Sequence, residues 1–287
     1  MDVPFLSRLI FKVRHKVNKK KTNSPFMSGD SFKQICDLII DNDVLDHQEI
    51  GKLIDRASVI FCRSNMVEEF IDQYRHRIKA KVLFCGNSDR DFIEPINFPS
   101  TLRLILLQNS FISDGKKILT LPIGLENQKL GINGLPRNFK SKPAQPRSMR
   151  VLIGPFSPTH QSRVGLIEKY LRISGPWTVL NKWIFPDRLI KMIERFSYVL
   201  APRGNGADTH RVWETLYKGA FPIVEENDWS RSLVSEGFPL LLVPNLEPET
   251  VANFVAHHKA AFFQPQDLPQ LWLPYWLEKV KTALELA

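Results

Sequence analysis

Residues 198–226, YVLAPRGNGADTHRVWETLYKGAFPIVEE, constrain this chain more than any other stretch. Phe196 to Leu200 is a short apolar run that predicts a buried strand, and Phe221 to Val224, with Pro222 near its start, predicts another. Between them lie the loop Pro202-Arg203-Gly204-Asn205-Gly206 and a helical stretch from Asp208 to Lys218, closed by Gly219. Val212, Trp213, Leu216, Tyr217 and Ala220 recur at the helical period and form a core-facing stripe. Strand, glycine loop and helix in that order make an anion site. Gly204 and Gly206 let the backbone approach a ligand, and the amides of the first helical turn have no acceptor within the helix. Arg203, Asn205, Thr209, His210, Arg211 and Glu214 surround the same point, with Asp208 or Thr209 as the expected N-cap. The expected guest is a phosphate or diphosphate.

The loop itself narrows the choice. It lacks the Lys-Ser/Thr ending of a P-loop, which argues against ATP hydrolysis. It also lacks the third glycine of a dinucleotide fingerprint. Nor does it follow the first strand of its α/β unit, expected at Arg150 to Ile153, so NAD is disfavoured.

The rest of the chain alternates between helical and strand patterns. Residues 28–42 predict a helix after Asp30, and Glu49 to Asp55 a second, ahead of the strand Val59 to Cys62. Ser64 is the expected cap of a helix running through Gln73, followed by the strand Lys81 to Phe84. That strand exits into Gly86-Asn87-Ser88-Asp89, at the carboxyl edge where open α/β sheets bind ligands. The strand Leu102 to Leu107 leaves Gln108-Asn109 at its tip. Together these spell one α/β domain, residues 28–135. The proline-rich, basic residues 136–149 predict a linker or surface loop, and a second α/β domain follows over 150–262 with further strands at Trp177 to Val179 and Pro239 to Val243. In the last segment, 263–287, Trp272, Tyr275, Trp276, Val280 and Leu284 fall at helical spacing and predict a packed helix. A chain of 287 residues suits two domains of ~100–150 residues each.

The pattern P-x-G-x-G-x-D-x-H-R-x-W-E-x-L-x-x-G-x-x-P-I-V, from Pro202 to Val224, resembles exostosin-like glycosyltransferases and related bacterial enzymes of surface-polysaccharide synthesis. SGDSF (Ser28 to Phe32), GNSDRDF (Gly86 to Phe92), LQNS (Leu107 to Ser110), LPIGLE (Leu121 to Glu126) and PFSPTHQSR (Pro155 to Arg163) look like the same group, in the expected order over about residues 28–245. Arg203 departs from the pattern of many relatives. The resemblance implies a GT-B fold: two Rossmann-like domains facing across a cleft, the second holding the sugar nucleotide, and a C-terminal helix crossing back onto the first. It implies a glycosyltransferase, inverting, that moves a sugar from a nucleoside diphosphate sugar to a glycan or lipid-linked glycan acceptor of the cell surface.

Roles for individual residues follow from the chemistry of that transfer. The departing diphosphate gains charge as the glycosidic bond breaks. A helix N-terminus contributes ~0.3–1 kcal/mol, at best ~2, whereas a preorganised donor aimed at developing charge contributes ~3–4 kcal/mol. A cation is therefore needed beside the helix, and Arg211 and Arg163 are the candidates. Glu214, like the motif glutamate of the resembled families, accepts hydrogen bonds from sugar or ribose hydroxyls. The acceptor hydroxyl loses its proton to Asp89, with Asp30 second, and Asn87 and Asn109 complete the acceptor side. No metal is expected, because D-x-D is absent and Asp41-Asn42-Asp43, which comes nearest, reads as a helix end. No cofactor beyond the sugar nucleotide is expected. Two other readings stay open: a binding or scaffold protein that keeps the sugar-nucleotide fold, and a nucleotide-sugar epimerase of the same architecture.

Composition bears on location and partners. Cys36, Cys62 and Cys85 are odd in number and lack metal spacing, which predicts buried free thiols in a reducing compartment. Of the net charge of +9, residues 1–21 carry +6, so the remaining 266 residues carry only +3 and a general nucleic-acid surface is not expected. Phe5, Leu6, Leu9, Ile10, Val13 and Val17 share one helical face bordered by Arg8, Lys12, Lys16 and Lys19. Such a basic amphipathic tail suits the anionic inner face of a membrane, a peripheral cytoplasmic location, although a disordered basic arm has the same composition. No run of 18 apolar residues spans a bilayer, and no secretory signal is expected. Deleting residues 1–21 is expected to abolish cosedimentation with vesicles containing anionic lipid. Binding of the intact chain weakens as salt is added; equal binding by both forms would refute the anchor.

Overall fold

A computed structural model describes residues 25–127, 134–140, 146–258 and 263–285; the basic tail lies outside them. The chain divides into two compact units: one takes in the residues up to Ile123 together with those from Trp272 onward, and the other is Gly124–Leu271.

In the first unit, five parallel strands stand in chain order: β1 (Leu38–Ile40), β2 (Val59–Arg63), β3 (Val82–Gly86), β4 (Leu104–Leu107) and β5 (Ile118–Thr120). The helices α1 (Gly29–Lys33), α2 (His47–Leu53) and α3 (Val67–Tyr74) accompany them. Parallel crossovers are right-handed, so a sheet that only ever adds strands on the same side carries all of its crossovers on one face. That face packs Ile60, Cys62, Leu83, Cys85, Ile105 and Leu107 against Ile50, Phe70 and Ile71. The alternate residues Val59, Phe61, Val82, Phe84, Leu104 and Leu106 point the other way, and they are buried as well.

The second unit also holds five parallel strands, β6 (Ser148–Ile153), β7 (Trp177–Val179), β8 (Phe196–Leu200), β9 (Phe221–Glu225) and β10 (Leu241–Val243). Its helices are α4 (Leu166–Arg172), α5 (Pro186–Ile193), α6 (His210–Tyr217), α7 (Asp228–Ser235) and α8 (Pro248–His257). The strand order is β10-β9-β8-β6-β7. From β6 the chain steps to β7 on one side, then back past β6 to β8 on the other. Reversing direction sends crossovers to both faces. Leu166 and Tyr170 of α4 and Val251 of α8 share one core with Val151, Ile153 and Tyr198, while Ile190 of α5 and Trp213 and Leu216 of α6 are buried outside that cluster.

The C-terminal helix α9 (Leu273–Glu285) belongs to the first unit and supplies the cover its second face lacks. Phe32 of α1 stacks on Phe84 at 5.5 Å and meets the edge of Trp276 at 6.3 Å. The Leu273 amide donates to Pro25 O at 2.9 Å, and Phe26 pairs with Trp272, their rings 5.3 Å apart. Leu273, Trp276, Val280 and Ala283 are the buried stripe; Tyr275 and Leu284 are half-buried.

Several boundaries differ from the sequence expectation. Residues 28–42 are not one helix. The reciprocal Ser28–Ser31 capping box starts a single helical segment that stops at Lys33, and Leu38–Ile40 is a strand. The Asp37 carboxylate accepts from the Ser58 and Val59 amides and ties that strand's entrance to β2, so Asp41 leaves a strand instead of ending a helix. Ser64 opens a short 3-10 turn, and α3 begins at Val67. The boundary between units falls at 123/124, ahead of 135/136. Within 136–149, Phe139 is buried and Arg147 donates to the carbonyls of Phe196 and Lys218, so both ends of this stretch belong to the second unit. Pro265–Leu271 forms two 3-10 turns of that unit before α9.

Trp276 is fully buried on a face no crossover covers. Trp276→Ala is expected to destabilise the first unit by about 3–5 kcal/mol, read as a lower urea midpoint at unchanged slope. A loss below 1 kcal/mol would show that the face has another cover.

Candidate functional site

In an open α/β sheet the ligand crevice lies outside the carboxyl ends of the strands where the order reverses. In the second unit that point is between β6 and β8. The loop after β6, Gly154 to Arg163, and the loop after β8, Ala201 to Thr209, meet there. Both loops are short of regular structure, so their polar groups are held by a few specific bonds.

Arg163 is the principal tie. Its Nη2 donates to Pro202 O at 2.9 Å, and its Nη1 to Thr159 Oγ1 at 3.2 Å and Ser157 O at 3.4 Å. A Cβ added at Gly204 would sit 3.3 Å from Arg163 Nη2 and 3.4 Å from Thr159 Oγ1, so a side chain there would press on this tie. The Gly204 amide donates to Gly206 O at 3.1 Å, turning the loop on itself, and Arg203 Nη2 donates back to Asn205 O at 3.0 Å. Arg203 thus braces its own loop.

Arg211, in the first turn of α6, reaches across to β6. Its Nη1 donates to Gly154 O at 3.2 Å and its Nε to Glu214 Oε2 at 3.2 Å. The Arg211 and Glu214 side chains are only 14% and 10% exposed, so this is a buried pair, not a solvated one. Both guanidinium groups overlie the Phe156 ring, at 5.8 Å for Arg163 and 6.0 Å for Arg211. Arg211 has a carboxylate partner; the bonds of Arg163 go to carbonyls and a hydroxyl. Burial, with the Arg211 charge second, pulls the Arg163 guanidinium down to about 10. It stays protonated at neutral pH, in a place that favours an added anion.

Two polar atoms here have no hydrogen-bond partner: Arg163 Nε and Thr209 Oγ1. Thr209 is 8% exposed and is the N-cap of α6, yet its hydroxyl makes no cap bond. Asp208, the alternative cap, accepts from Trp213 Nε1 at 2.8 Å and is buried. It braces the helix, so its carboxylate is committed inward. His210 Nδ1 lies 2.8 Å from Gly124 O. Asn205 is exposed and Gly206 buried at the loop tip. The structure therefore brings together Arg163, Gly204, Thr209, Arg211 and Glu214. Phe156 and Thr159 were not singled out from the sequence, because a loop aromatic and a loop threonine carry no periodic signal.

The carboxyl edge of the first sheet gathers polar groups of its own. Lys33 Nζ lies 3.0 Å from Asp30 Oδ1 and 2.8 Å from Asp41 Oδ2, and Asn87 Nδ2 donates to Asp41 Oδ2 at 3.0 Å. Burial pulls the Lys33 ammonium down, but hydrogen bonds to Asp41 and Asp30 more than offset it and leave it above its ordinary value. Asn87 and Asn109 both adopt positive φ, at 55° and 57°, and Asn109 Nδ2 donates to Ser88 O and Arg90 O. Asp89 is exposed on the same edge. Asp41 and Lys33 join this group although sequence reasoning had set Asp41 aside.

Among the described residues, no three His, Cys, Asp or Glu side chains cluster as a metal site, and no helix is long and apolar enough to cross a membrane. Cys36, Cys62 and Cys85 are buried free thiols, which burial pushes up out of the reactive range.

No protein family matches the chain, and no curated protein is similar to it. Among solved structures, the chain is similar to one described as "Crystal structure of GtfA/B complex", at 12% identity and a TM-score of 0.38, over 79% of this chain and 57% of that one. The chain thus spans little more than half of that structure's length. A likeness of this degree carries no argument about activity.

Thr209→Val replaces an unpartnered buried hydroxyl by a methyl group of the same shape. Removing such a group is expected to raise apo stability by about 1 kcal/mol while lowering affinity for inorganic pyrophosphate severalfold. Urea unfolding and calorimetry read the two effects; a destabilised variant with unchanged affinity would assign Thr209 to the fold alone.

Proposed function

We propose that the chain is a glycosyltransferase that holds a nucleoside diphosphate sugar by its diphosphate at the β6/β8 switch point. The observation that carries this reading is the Arg163–Arg211 pair over Phe156, beside the α6 N-terminus, in which only Arg211 is paired with a carboxylate, that of Glu214.

The transfer needs these groups in particular. An acceptor hydroxyl oxygen attacks the anomeric carbon, the bond from that carbon to the diphosphate oxygen breaks, and the diphosphate leaves with the electron pair. Its new negative charge forms at the amides of α6 and the two arginines. In a low-dielectric setting such preorganised donors favour the charged leaving group over the intact donor. Glu214 keeps Arg211 in register through its Nε bond and offers its other oxygen to a sugar or ribose hydroxyl. Because these cations neutralise the leaving diphosphate, the reaction proceeds without a divalent metal. The acceptor hydroxyl gives up its proton to a general base as it attacks. The acceptor is a cell-surface glycan or its lipid-linked precursor, with residues 1–21 holding the enzyme at the inner membrane face.

A thermal-shift series with UDP, GDP, CDP, ADP and their common sugar conjugates tests the reading. At least one nucleotide is expected to raise the melting temperature of the wild-type protein by several degrees at about 100 times its Kd. Arg211→Ala should keep its own melting temperature within a few degrees and lose the response. Turnover with the responding sugar nucleotide should persist in excess EDTA. A wild-type protein that responds to none of them overturns the proposal.

A further inference from the structure

Among the described residues of the second unit, the loop that leaves β7 carries the most exposed aromatic side chains. Trp183 is 68% exposed and Phe185 58% exposed, although rings of this size are normally covered. Their centroids are 4.7 Å apart at 67°, an edge-to-face pair that braces each ring while leaving broad apolar faces in solvent. Phe185 immediately precedes α5, whose Pro186 sits at the first helical position, so the loop end is held by a rigid start. Ile184 between them is half-buried.

This pair follows the strand next to β6, whose own loop lines the anion site. β7 is the immediate neighbour of β6, in parallel register, so both loops emerge at the same sheet edge. The Leu180 amide donates to Ile153 O at 2.8 Å, and a Cβ at Gly154 would come within 2.5 Å of Leu180 O. The same Gly154 presents its carbonyl to Arg211. Trp183 follows Leu180 by three residues, a span of at most about 10–11 Å.

We infer that Trp183 and Phe185 form the stacking platform for the nucleobase of the ligand whose diphosphate lies on Arg163, Arg211 and the α6 amides. The inference rests on the phosphate reading above and adds to it the end of the ligand that the phosphate loop does not touch. A nucleoside diphosphate is anionic at one end and a flat π-system at the other. The second unit offers a cationic, amide-lined point and, one strand over, two solvent-facing aromatic rings. Stacking accepts any base, so this platform supplies affinity, and base identity is left to polar groups around it.

Calorimetry on the full-length protein compares inorganic pyrophosphate with UDP, GDP, CDP and ADP, for wild type, Trp183→Ala, Phe185→Ala and Trp183→Phe. Trp183→Ala is expected to weaken the best nucleoside diphosphate by about 5- to 150-fold, to leave pyrophosphate unchanged, and to be largely rescued by Trp183→Phe. Equal affinities of wild type and Trp183→Ala for every nucleotide would overturn the inference, with pyrophosphate binding showing that the phosphate reading survives. Failure of wild type to bind pyrophosphate or any nucleotide would overturn both. Loss of anionic-vesicle binding in Trp183→Ala, with nucleotide affinity intact, would assign the rings to a lipid surface and also overturn it.

Discussion

Parallel strands buried on both faces need cover on both, and the hand of their crossovers decides where the cover comes from. The two units of this chain meet that demand differently. The first adds strands in one direction, so its crossovers crowd one face and α9, distant in sequence, must be brought back to the other. The second reverses at β6/β8 and clothes both faces with its own helices. That reversal opens the crevice in which Arg163 and Arg211 stand. One topological fact therefore sets both the closure of the second core and the position of the candidate site.

The charge arrangement in the crevice differs from that of an ordinary structural ion pair. Lys33 and Arg77 sit with carboxylates that hold them above their usual values. Arg163 is driven the other way, by burial and by a second guanidinium. Its planar fork is spent on two carbonyls and a hydroxyl that fix the Pro202 loop, and among the described residues no acid is bonded to it. Lysine would not substitute, since one ammonium cannot reach Pro202, Thr159 and Ser157 in a plane.

How much of this was legible in the sequence depends on the kind of signal. The loop at Pro202 to Gly206 and the stripe Val212, Trp213, Leu216, Tyr217 and Ala220 were readable because glycine spacing and helical period are local properties; all five stripe residues are buried. The strand Leu38–Ile40 was not, because a contiguous apolar run fits a buried helix as well as a buried strand. The strand β5 was not read either: its short apolar run lies between Lys116-Lys117 and Pro122, flanks that read as loop. The approach of Arg163 to Pro202 depends on β6 pairing with β8, a long-range fact no local window contains. Asp208 looked like a cap or a ligand contact; only the Trp213 indole, five residues on, shows its commitment to the core.

The dependence of the first unit on α9 has a consequence for how the chain is made. A ribosome releases residues in order at roughly 5–20 per second, and residues 124–271 separate β5 from the helix that completes its sheet. For about 7–30 s, Phe61, Phe84 and Phe32 have been made while Trp276 has not yet been synthesised. The unit translated first is thus the last to finish, and during that interval its bare aromatic face is what a nascent-chain chaperone would meet.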